Sequence, residues 1–281
     1  MSSQRSKAEL FRKLHHGKHI LILPNAWDAV SARIFEETGF PAIATSSAAM
    51  MVSLGHPDGE FVDRKELASA VLRIARIIGV PLSADIVGGF GRTASEVKRT
   101  VHDVLKAGAV GINIEDFVHG TGKLLPLEKQ TERIKAAIEA GGEAGVPLVV
   151  NGRTDALRYA KGDDDARFEE AVRRAVAYRD AGADCVYPMG LTDAYSISKF
   201  VDALDCPVNV MIRKELPPID ELERLGVARV SFGPSGAYVA LSHLKIAATE
   251  VLEIGTYETL TRNVMTFDEL NSLGRPRSRH R

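Results

Sequence analysis

The chain has 281 residues, of which 45% are hydrophobic, enough for one large core or two ordinary domains. Its 36 Lys and Arg residues nearly balance its 37 Asp and Glu residues, which argues against nucleic acid or an anionic membrane as a partner. No apolar window approaches the ~18 residues of a membrane helix, and the polar N-terminal segment has no apolar signal core. The two cysteines, Cys185 and Cys206, lie in apolar runs, as buried thiols do in a reducing compartment, so we expect a cytoplasmic enzyme.

One unit recurs along the chain, in which an amphipathic stretch and a small turn precede a short apolar run. In chain order the runs are KHILILPNAWD, ETGFPAIATSS, IIGVPLSADIV, KAGAVGINIED, EAGVPLVVNGR, DAGADCVYPMG, LDCPVNVMIR and RLGVARVSFGP. Such nearly continuous apolar runs are typical of strands buried on both faces. The glycines that precede most of them are placed to end helices in the left-handed conformation.

Strand and helix units that alternate in this way predict an α/β protein, a (β/α)₈ TIM barrel. We expect a single domain over residues 1–281, with a core at about 10–260. An open doubly wound sheet is the alternative, but no glycine-rich dinucleotide fingerprint follows the first strand. The basic segment 274–281, GRPRSRHR, has no apolar anchor, and we expect it to be a disordered tail.

Polar residues stand where the predicted strands end, which is where barrels of this kind place their active sites. They are Asn25, Trp27, Asp28, Ser46, Ser47, Asp85, Asn113, Glu115, Asp116, Asn151, Arg153, Asp155, Arg213, Ser231 and Ser235. Oxygen ligands suit a hard divalent cation, and arginine suits an anionic substrate. Asp28 and Asp155 directly precede helix-like stretches and could instead cap them, whereas Asp85 and Glu115 do not.

Four segments carry a resemblance to a known family. They are LPNAWDAVSARIFEETGFPAIATSSAAMMVSLGHPDGE, SADIVGGFG, AGAVGINIED and VNGRTDA. In this order and spacing, the chain resembles the isocitrate lyase/phosphoenolpyruvate mutase superfamily over residues 10–260. The resemblance implies a barrel whose C-terminal helix is exchanged between the subunits of a homodimer or homotetramer. It also implies Mg²⁺, with Mn²⁺ as an alternative, and a small carboxylate substrate that passes through an enolpyruvate-like form.

The resemblance also assigns roles to residues of this chain. The substrate-binding residues would be Ser46, Ser47, Ala48, Asp85 and Arg153. Arg153 would also be catalytic, together with Asp58 on a mobile loop near the reacting carbon. Asp85 would be the principal metal ligand, and Glu115 would hold the metal through water, whereas Asp116 would make a structural contact. Cleavage beside a carbonyl leaves an enolate, and a metal ion that bridges its oxygens stabilises that charge.

Two departures from the family pattern bear on function. Lyases of the superfamily carry a Lys-Cys-Gly-His loop after the fourth strand, but here the segment reads EDFVHGTGKLLP, and no cysteine occurs between Met1 and Asp184. We therefore expect no isocitrate or methylisocitrate cleavage, and we interpret His119 as a surface loop residue. The second acid of the metal motif is replaced by Val87, which predicts weaker metal binding.

These observations favour a Mg²⁺-dependent carbon–carbon lyase or decarboxylase that acts on a small 2-oxo or 2-hydroxy carboxylate of the oxaloacetate type. Two alternatives remain open. The first is phosphorus–carbon chemistry, as in phosphoenolpyruvate mutase, carboxyphosphoenolpyruvate mutase or phosphonopyruvate hydrolase, although the longer gating loop of those enzymes has no obvious counterpart here. The second is a ligand-binding barrel without proficient catalysis, which Val87 favours.

Overall fold

Parallel strands followed by helices make up most of the computed structural model, which describes residues 3–275. The strands are β1 (Leu21–Leu23), β2 (Asn25–Ala26), β3 (Ile43–Thr45), β4 (Leu82–Asp85), β5 (Gly111–Glu115), β6 (Phe117–Val118), β7 (Lys123–Leu124), β8 (Val149–Thr154), β9 (Cys185–Pro188), β10 (Asn209–Met211) and β11 (Arg229–Ser231). The helices are α1 (Gln4–Leu14), α2 (Ala29–Thr38), α3 (Ser47–Ser53), α4 (Arg64–Ile77), α5 (Ala94–Lys106), α6 (Leu127–Glu143), α7 (Ala156–Tyr159), α8 (Asp164–Asp180), α9 (Ala194–Asp202), α10 (Ile219–Arg224), α11 (Ser235–Glu253), α12 (Glu258–Thr261) and α13 (Phe267–Leu273). Most of the predicted tail, residues 276–281, lies outside the described residues.

The strands close into a ring. Six of them pair in parallel in the order β2-β3-β4-β5-β8-β9, and three more in the order β1-β11-β10. A parallel bridge between Val186 and Val208 joins the two groups at one side. On the other side β1 runs into β2 across Pro24, so these two form one interrupted strand. The predicted (β/α)₈ barrel is confirmed, and the only antiparallel pair among the described residues, β6 with β7, lies in the loop after β5.

The helices that follow the central strands cover the barrel with an apolar stripe, as α5 illustrates. Thr93 and Glu96 form a reciprocal capping box at its N-terminus, which satisfies backbone donors that the helix cannot pair internally. Val97, Val101 and Val104 recur at three- and four-residue spacing and are fully buried. The helix ends before Gly108, whose φ of +104° is the left-handed conformation expected after a helix C-terminus.

The C-terminal helices are less covered than the rest of the barrel. Large apolar side chains of this region are exposed in the single chain: Tyr238, Val239, Leu241, Leu244, Ile246, Val251, Leu252, Ile254, Tyr257 and Leu260. The exchange of a C-terminal helix between subunits stays a prediction, because the structure is of one chain. Within residues 3–275, no helix combines the length and apolarity needed to cross a membrane.

Candidate active site

A cavity of about 390 Å³ opens at the C-terminal ends of the barrel strands. Of the seven predicted site residues, six line it: Ser46, Ser47, Ala48, Asp58, Asp85 and Arg153. The seventh, Glu115, is buried beside Arg153 at the end of β5. The cavity wall also includes His119, Tyr187, Met189, Met211, Arg213 and Tyr238, of which sequence reasoning singled out only Arg213 as a strand-end residue. The polar residues at the strand ends therefore surround one cavity, which is the candidate site.

Asp85 is held in place by the strands beside it. Its Oδ2 accepts the Ser47 backbone N–H at 3.0 Å, and its Oδ1 accepts the Asn113 side-chain amide at 3.1 Å. Asn113 in turn accepts a hydrogen bond from the Asn151 side-chain amide at 2.9 Å. We call this chain of contacts, Asn151 to Asn113 to Asp85, the amide relay. It holds Asp85 Oδ1 from β8 and β5, while the Ser47 N–H holds Oδ2 from the start of α3.

Arg153 joins two buried carboxylates. Its Nη1 lies 2.8 Å from Glu115 Oε2, while its Nε and Nη2 make a forked pair with Asp155 at 2.8 and 2.9 Å. A guanidinium has five N–H groups, so two of them remain for a ligand. Burial lowers the pKa of Arg153, but Glu115 and Asp155 outweigh burial and raise that pKa well above its usual value. Arg153 is thus a permanent cation at the cavity wall.

The structure decides between the capping and site interpretations of two aspartates. Asp28 accepts the Ser31 backbone N–H at 2.7 Å and caps α2, which confirms the capping interpretation. Asp155 stands before α7 but makes no side-chain capping bond, because Arg153 takes both of its oxygens. The capping interpretation of Asp155 is therefore wrong.

Asp116 makes structural contacts, as predicted. Its carboxylate accepts hydrogen bonds from the Thr154 hydroxyl, the Asp155 backbone N–H and the Tyr178 hydroxyl, and it pairs with Arg174 at 3.0 Å. These contacts tie β5 to β8 and α8 beneath the cavity wall. Of the two adjacent acids that end this strand, Glu115 alone therefore belongs to the site.

His119 is a site residue that sequence reasoning missed. Its Nε2 lies 2.5 Å from Glu115 Oε1, and its ring packs edge-on against Phe117. The hydrogen bond to Glu115 is the largest influence on His119 and raises its pKa, against the effect of burial. The short β6–β7 hairpin folds the loop back over the cavity, so the surface-loop interpretation was wrong. The alternation of Glu115, Phe117 and His119 was the available signal, since residues two apart in extended chain share a face.

Asp58 lies at the mouth of the cavity, near Asp85 and His119. Burial, followed by the neighbouring charge of Asp85, raises the pKa of Asp58 above its usual value. His119, a hydrogen bond with the Ser47 side chain, and Arg153 act in the opposite direction. The structure thus brings the predicted loop aspartate to the predicted metal ligand.

The cavity offers few protein donors for the Mg²⁺ that the family implies. No cluster of three His, Cys, Asp or Glu side chains poised to hold a metal ion occurs within residues 3–275, and both oxygens of Glu115 are taken by His119 and Arg153. Mg²⁺ needs fewer protein ligands than that, because it commonly binds one or two carboxylates and keeps waters and substrate oxygens. Asp85, with Asp58 nearby, fits that requirement at the cavity wall.

Val87, which replaces the second acid of the metal motif, is fully buried and does not line the cavity. Its backbone has a φ of +54°, which is unusual for a β-branched residue. Its N–H donates to Asp85 Oδ1 at 3.3 Å, and its carbonyl accepts the Glu115 N–H at 3.0 Å. The role of Val87 is therefore to shape the turn after β4 through its backbone.

Comparison with known proteins places this geometry in a family. The family described as phosphoenolpyruvate phosphomutase matches residues 11–252. A 2-methylisocitrate lyase of Aeropyrum pernix is 32% identical over 275 residues, which cover 94% of this chain and 86% of that protein. An oxaloacetate decarboxylase of Rhodopseudomonas palustris is 31% identical over 251 residues, covering 87% and 81%.

A solved structure of similar shape is that of oxaloacetate acetylhydrolase in complex with the product oxalate. It has a TM-score of 0.85 and 25% identity, and the match covers 96% of this chain and 94% of that one. The family match spans the strand ends that carry Asp85, Glu115 and Arg153. The chain therefore belongs to the phosphoenolpyruvate mutase/isocitrate lyase superfamily and is an enzyme of its lyase type.

Proposed function

We propose that this enzyme is a Mg²⁺-dependent decarboxylase or carbon–carbon lyase that acts on a small 2-oxo dicarboxylate of the oxaloacetate type. One observation carries the proposal. A carboxylate fixed by the amide relay and a permanently charged arginine with two unused N–H groups face the same cavity. Such a pair suits a substrate that has both a metal-chelating 2-oxo acid and an anionic group.

Each group of site residues would have a distinct role in the proposed reaction. Asp85 would hold Mg²⁺, which when bound would stabilise enolate charge as a Lewis acid. Asp58 would act near the reacting carbon, and Glu115 would orient Arg153 and His119, which engage its two oxygens. Ser46, Ser47 and Ala48 would hold the carboxylate end of the substrate where α3 begins. Arg153 would bind the anionic group through its two remaining N–H groups.

The lack of a cysteine acid in the loop after β5 favours decarboxylation over isocitrate-type cleavage. The loop after β5 contains no cysteine, whereas the lyase motif places its acid there. After decarboxylation the enolate can leave the site and take its proton from water, so no dedicated acid is required. His119 lowers the pKa of both Glu115 and Asp58, but burial has the larger effect and raises both pKa values above their usual range.

We also propose that the enzyme works as a homodimer or homotetramer in which the C-terminal helices pack on a second copy. The exposed apolar side chains of α11 support this, since contiguous apolar surface on a soluble chain marks an interface. Light scattering after size exclusion should give two or four times the chain mass. A monomer at micromolar concentration would contradict this proposal.

A panel of substrates with Mg²⁺ or with EDTA tests the proposed reaction. We expect oxaloacetate to release carbon dioxide only with the metal present, and isocitrate and methylisocitrate to remain intact. Turnover of phosphonopyruvate in preference to oxaloacetate would replace the proposal by phosphorus–carbon chemistry. Absence of turnover on every compound, with oxalate still bound, would favour a ligand-binding barrel.

A further inference from the structure

The segment that carries Asp58 is docked on the turn that follows Asp85. Glu60, two residues after Asp58, accepts the Phe90 backbone N–H through Oε1 at 2.6 Å. Phe90 belongs to the turn 86–91, which leads out of the strand that ends on Asp85. A single carboxylate thus connects the loop aspartate to the predicted metal ligand.

The turn is shaped to receive that carboxylate. A Cβ on Gly88 would lie 3.0 Å from Glu60 Oε1, so the absence of a side chain at Gly88 gives the carboxylate its place. Phe90 has a φ of +54°, which is unfavourable for an aromatic residue. In this conformation its backbone N–H donates to Glu60. The contact is therefore specific to this backbone geometry.

A buried cation lies beneath the same turn. Arg133 is 1% exposed, and its Nη1 donates to Gln130 at 2.8 Å. Its Nε and Nη2 have no hydrogen-bond partner among the described residues, and Nη2 is 3.7 Å from the position of a Gly88 Cβ. Burial lowers the pKa of Arg133, and Glu60 is the acid that most opposes this effect. Glu60 therefore lies close enough to stabilise the charged form of this buried cation, without a direct ion pair between the two.

The other side of the loop packs on His119. Gly59 has a φ of +134°, and a Cβ there would lie 3.3 Å from His119 Nδ1 and 3.0 Å from the Phe61 ring. The loop is thus held between the glycine turn and the histidine that pairs with Glu115. With both sides fixed, Asp58 has little freedom to leave the cavity mouth.

We propose that Glu60 is a positioning residue that locks the Asp58 loop onto the turn after β4 and so sets the catalytic placement of Asp58. This inference rests on the proposed function for its kinetic consequence, but the contact itself does not. Removing the Glu60 carboxylate frees the Phe90 N–H and leaves Arg133 without its nearby anion. The loop then spends more time away from the cavity, while the groups that bind the carboxylate end of a ligand stay in place.

Three variants and one control test the inference. Glu60→Ala removes the carboxylate, Glu60→Gln keeps an acceptor without the charge, and Gly88→Ala crowds the carboxylate from the opposite side. Glu66→Gln is the control, because Glu66 is an exposed acid at the start of the next helix. All four are compared by hydrogen–deuterium exchange of a peptide spanning residues 86–92, without substrate.

For Glu60→Ala we expect the exchange rate in that peptide to rise about tenfold, because the variant loses one hydrogen bond to a charged group. Gly88→Ala should raise it similarly, Glu60→Gln less, and Glu66→Gln not at all. Combining Glu60→Ala with Gly88→Ala should add little, since both break the same contact. Unchanged exchange in Glu60→Ala would overturn the inference.

Kinetics supply the second measurement and separate the two proposals. With oxaloacetate, Glu60→Ala should lower kcat about tenfold, while oxalate affinity in Mg²⁺ stays within about threefold of the parent. Faster exchange with unchanged kcat would show that the lock exists but does not position Asp58, which overturns the inference. If the parent enzyme decarboxylates nothing, the proposed function fails, and the exchange data still decide whether Glu60 holds the loop.

Discussion

Replacing Arg153 by lysine tests the electrostatic core of the site. Arg153 makes three N–H···O contacts of 2.8–2.9 Å to Glu115 and Asp155, and each of these carboxylates has a side chain only 1% exposed. Lysine keeps the charge but cannot reproduce the planar fork, so one carboxylate loses its partner in a buried place. Breaking a buried pair costs about 3–5 kcal/mol, so we expect Arg153→Lys to lower the free energy of unfolding by about 3 kcal/mol.

Equilibrium unfolding in urea measures the stability loss, and oxaloacetate decarboxylation measures the functional one. We expect kcat/KM to fall about 30-fold, equivalent to about 2 kcal/mol for a charged hydrogen bond to substrate left unmade. Arg158→Lys is the control, because Arg158 also lines the cavity but is exposed and lies over the Tyr159 ring. It should change stability by less than about 0.5 kcal/mol. If Arg153→Lys unfolds at the parent midpoint and turns over normally, Arg153 is not the charged anchor described above.

Three further predictions follow from the contacts at the strand ends. Titration calorimetry should show that oxalate binds tightly in Mg²⁺ and weakly in the presence of a chelator. Asp85→Asn should weaken the binding in Mg²⁺ more than Glu115→Gln does. Equal oxalate affinity with and without chelator would exclude binding through a bridging metal. The pKa of His119 is raised in the folded protein, so its stabilisation is complete below pH about 6.5 and declines as pH rises through that higher pKa. His119→Gln should therefore show a smaller loss of unfolding free energy over that window, and an unchanged pH profile would refute the pairing with Glu115. Val87→Asp should leave the Mg²⁺ concentration needed for half-maximal activity unchanged and should lower the free energy of unfolding, because residue 87 is fully buried and does not line the cavity. A lower Mg²⁺ requirement in this variant would show that the side chain at position 87 does reach a metal-bound water.

Local sequence predicted the parts of the site that depend on one strand end. Asp85 was identified because an apolar run stops on an acid with no helix directly after it, and the structure places it at the cavity. The barrel itself followed from the repeated strand and helix units. Both inferences use residues that are neighbours in the chain, where periodicity carries the information.

The parts that sequence could not give depend on side-chain conformation or on contacts between segments that the fold brings together. Asp155 has the position of a helix cap, and only the conformation of β8 shows that Arg153 captures its carboxylate. His119 enters the site because a hairpin of two-residue strands turns the loop back, and strands so short leave almost no periodic signal. The Glu60 contact with Phe90 spans 30 residues and is invisible to any local pattern.

The amide relay gives Asp85 contacts that come from inside the barrel strands, whereas other side chains of the cavity come from the loops. Asn113, supported by Asn151, holds Asp85 Oδ1 from inside the strands. The other contacts of this carboxylate come from the segments directly after β3 and β4, through the backbone N–H groups of Ser47 and Val87. The loops after β9 and β10 supply Met189 and Arg213 to the same cavity, and neither of these side chains hydrogen-bonds to Asp85. Replacement of either of these two loops should therefore alter substrate specificity before it alters metal affinity.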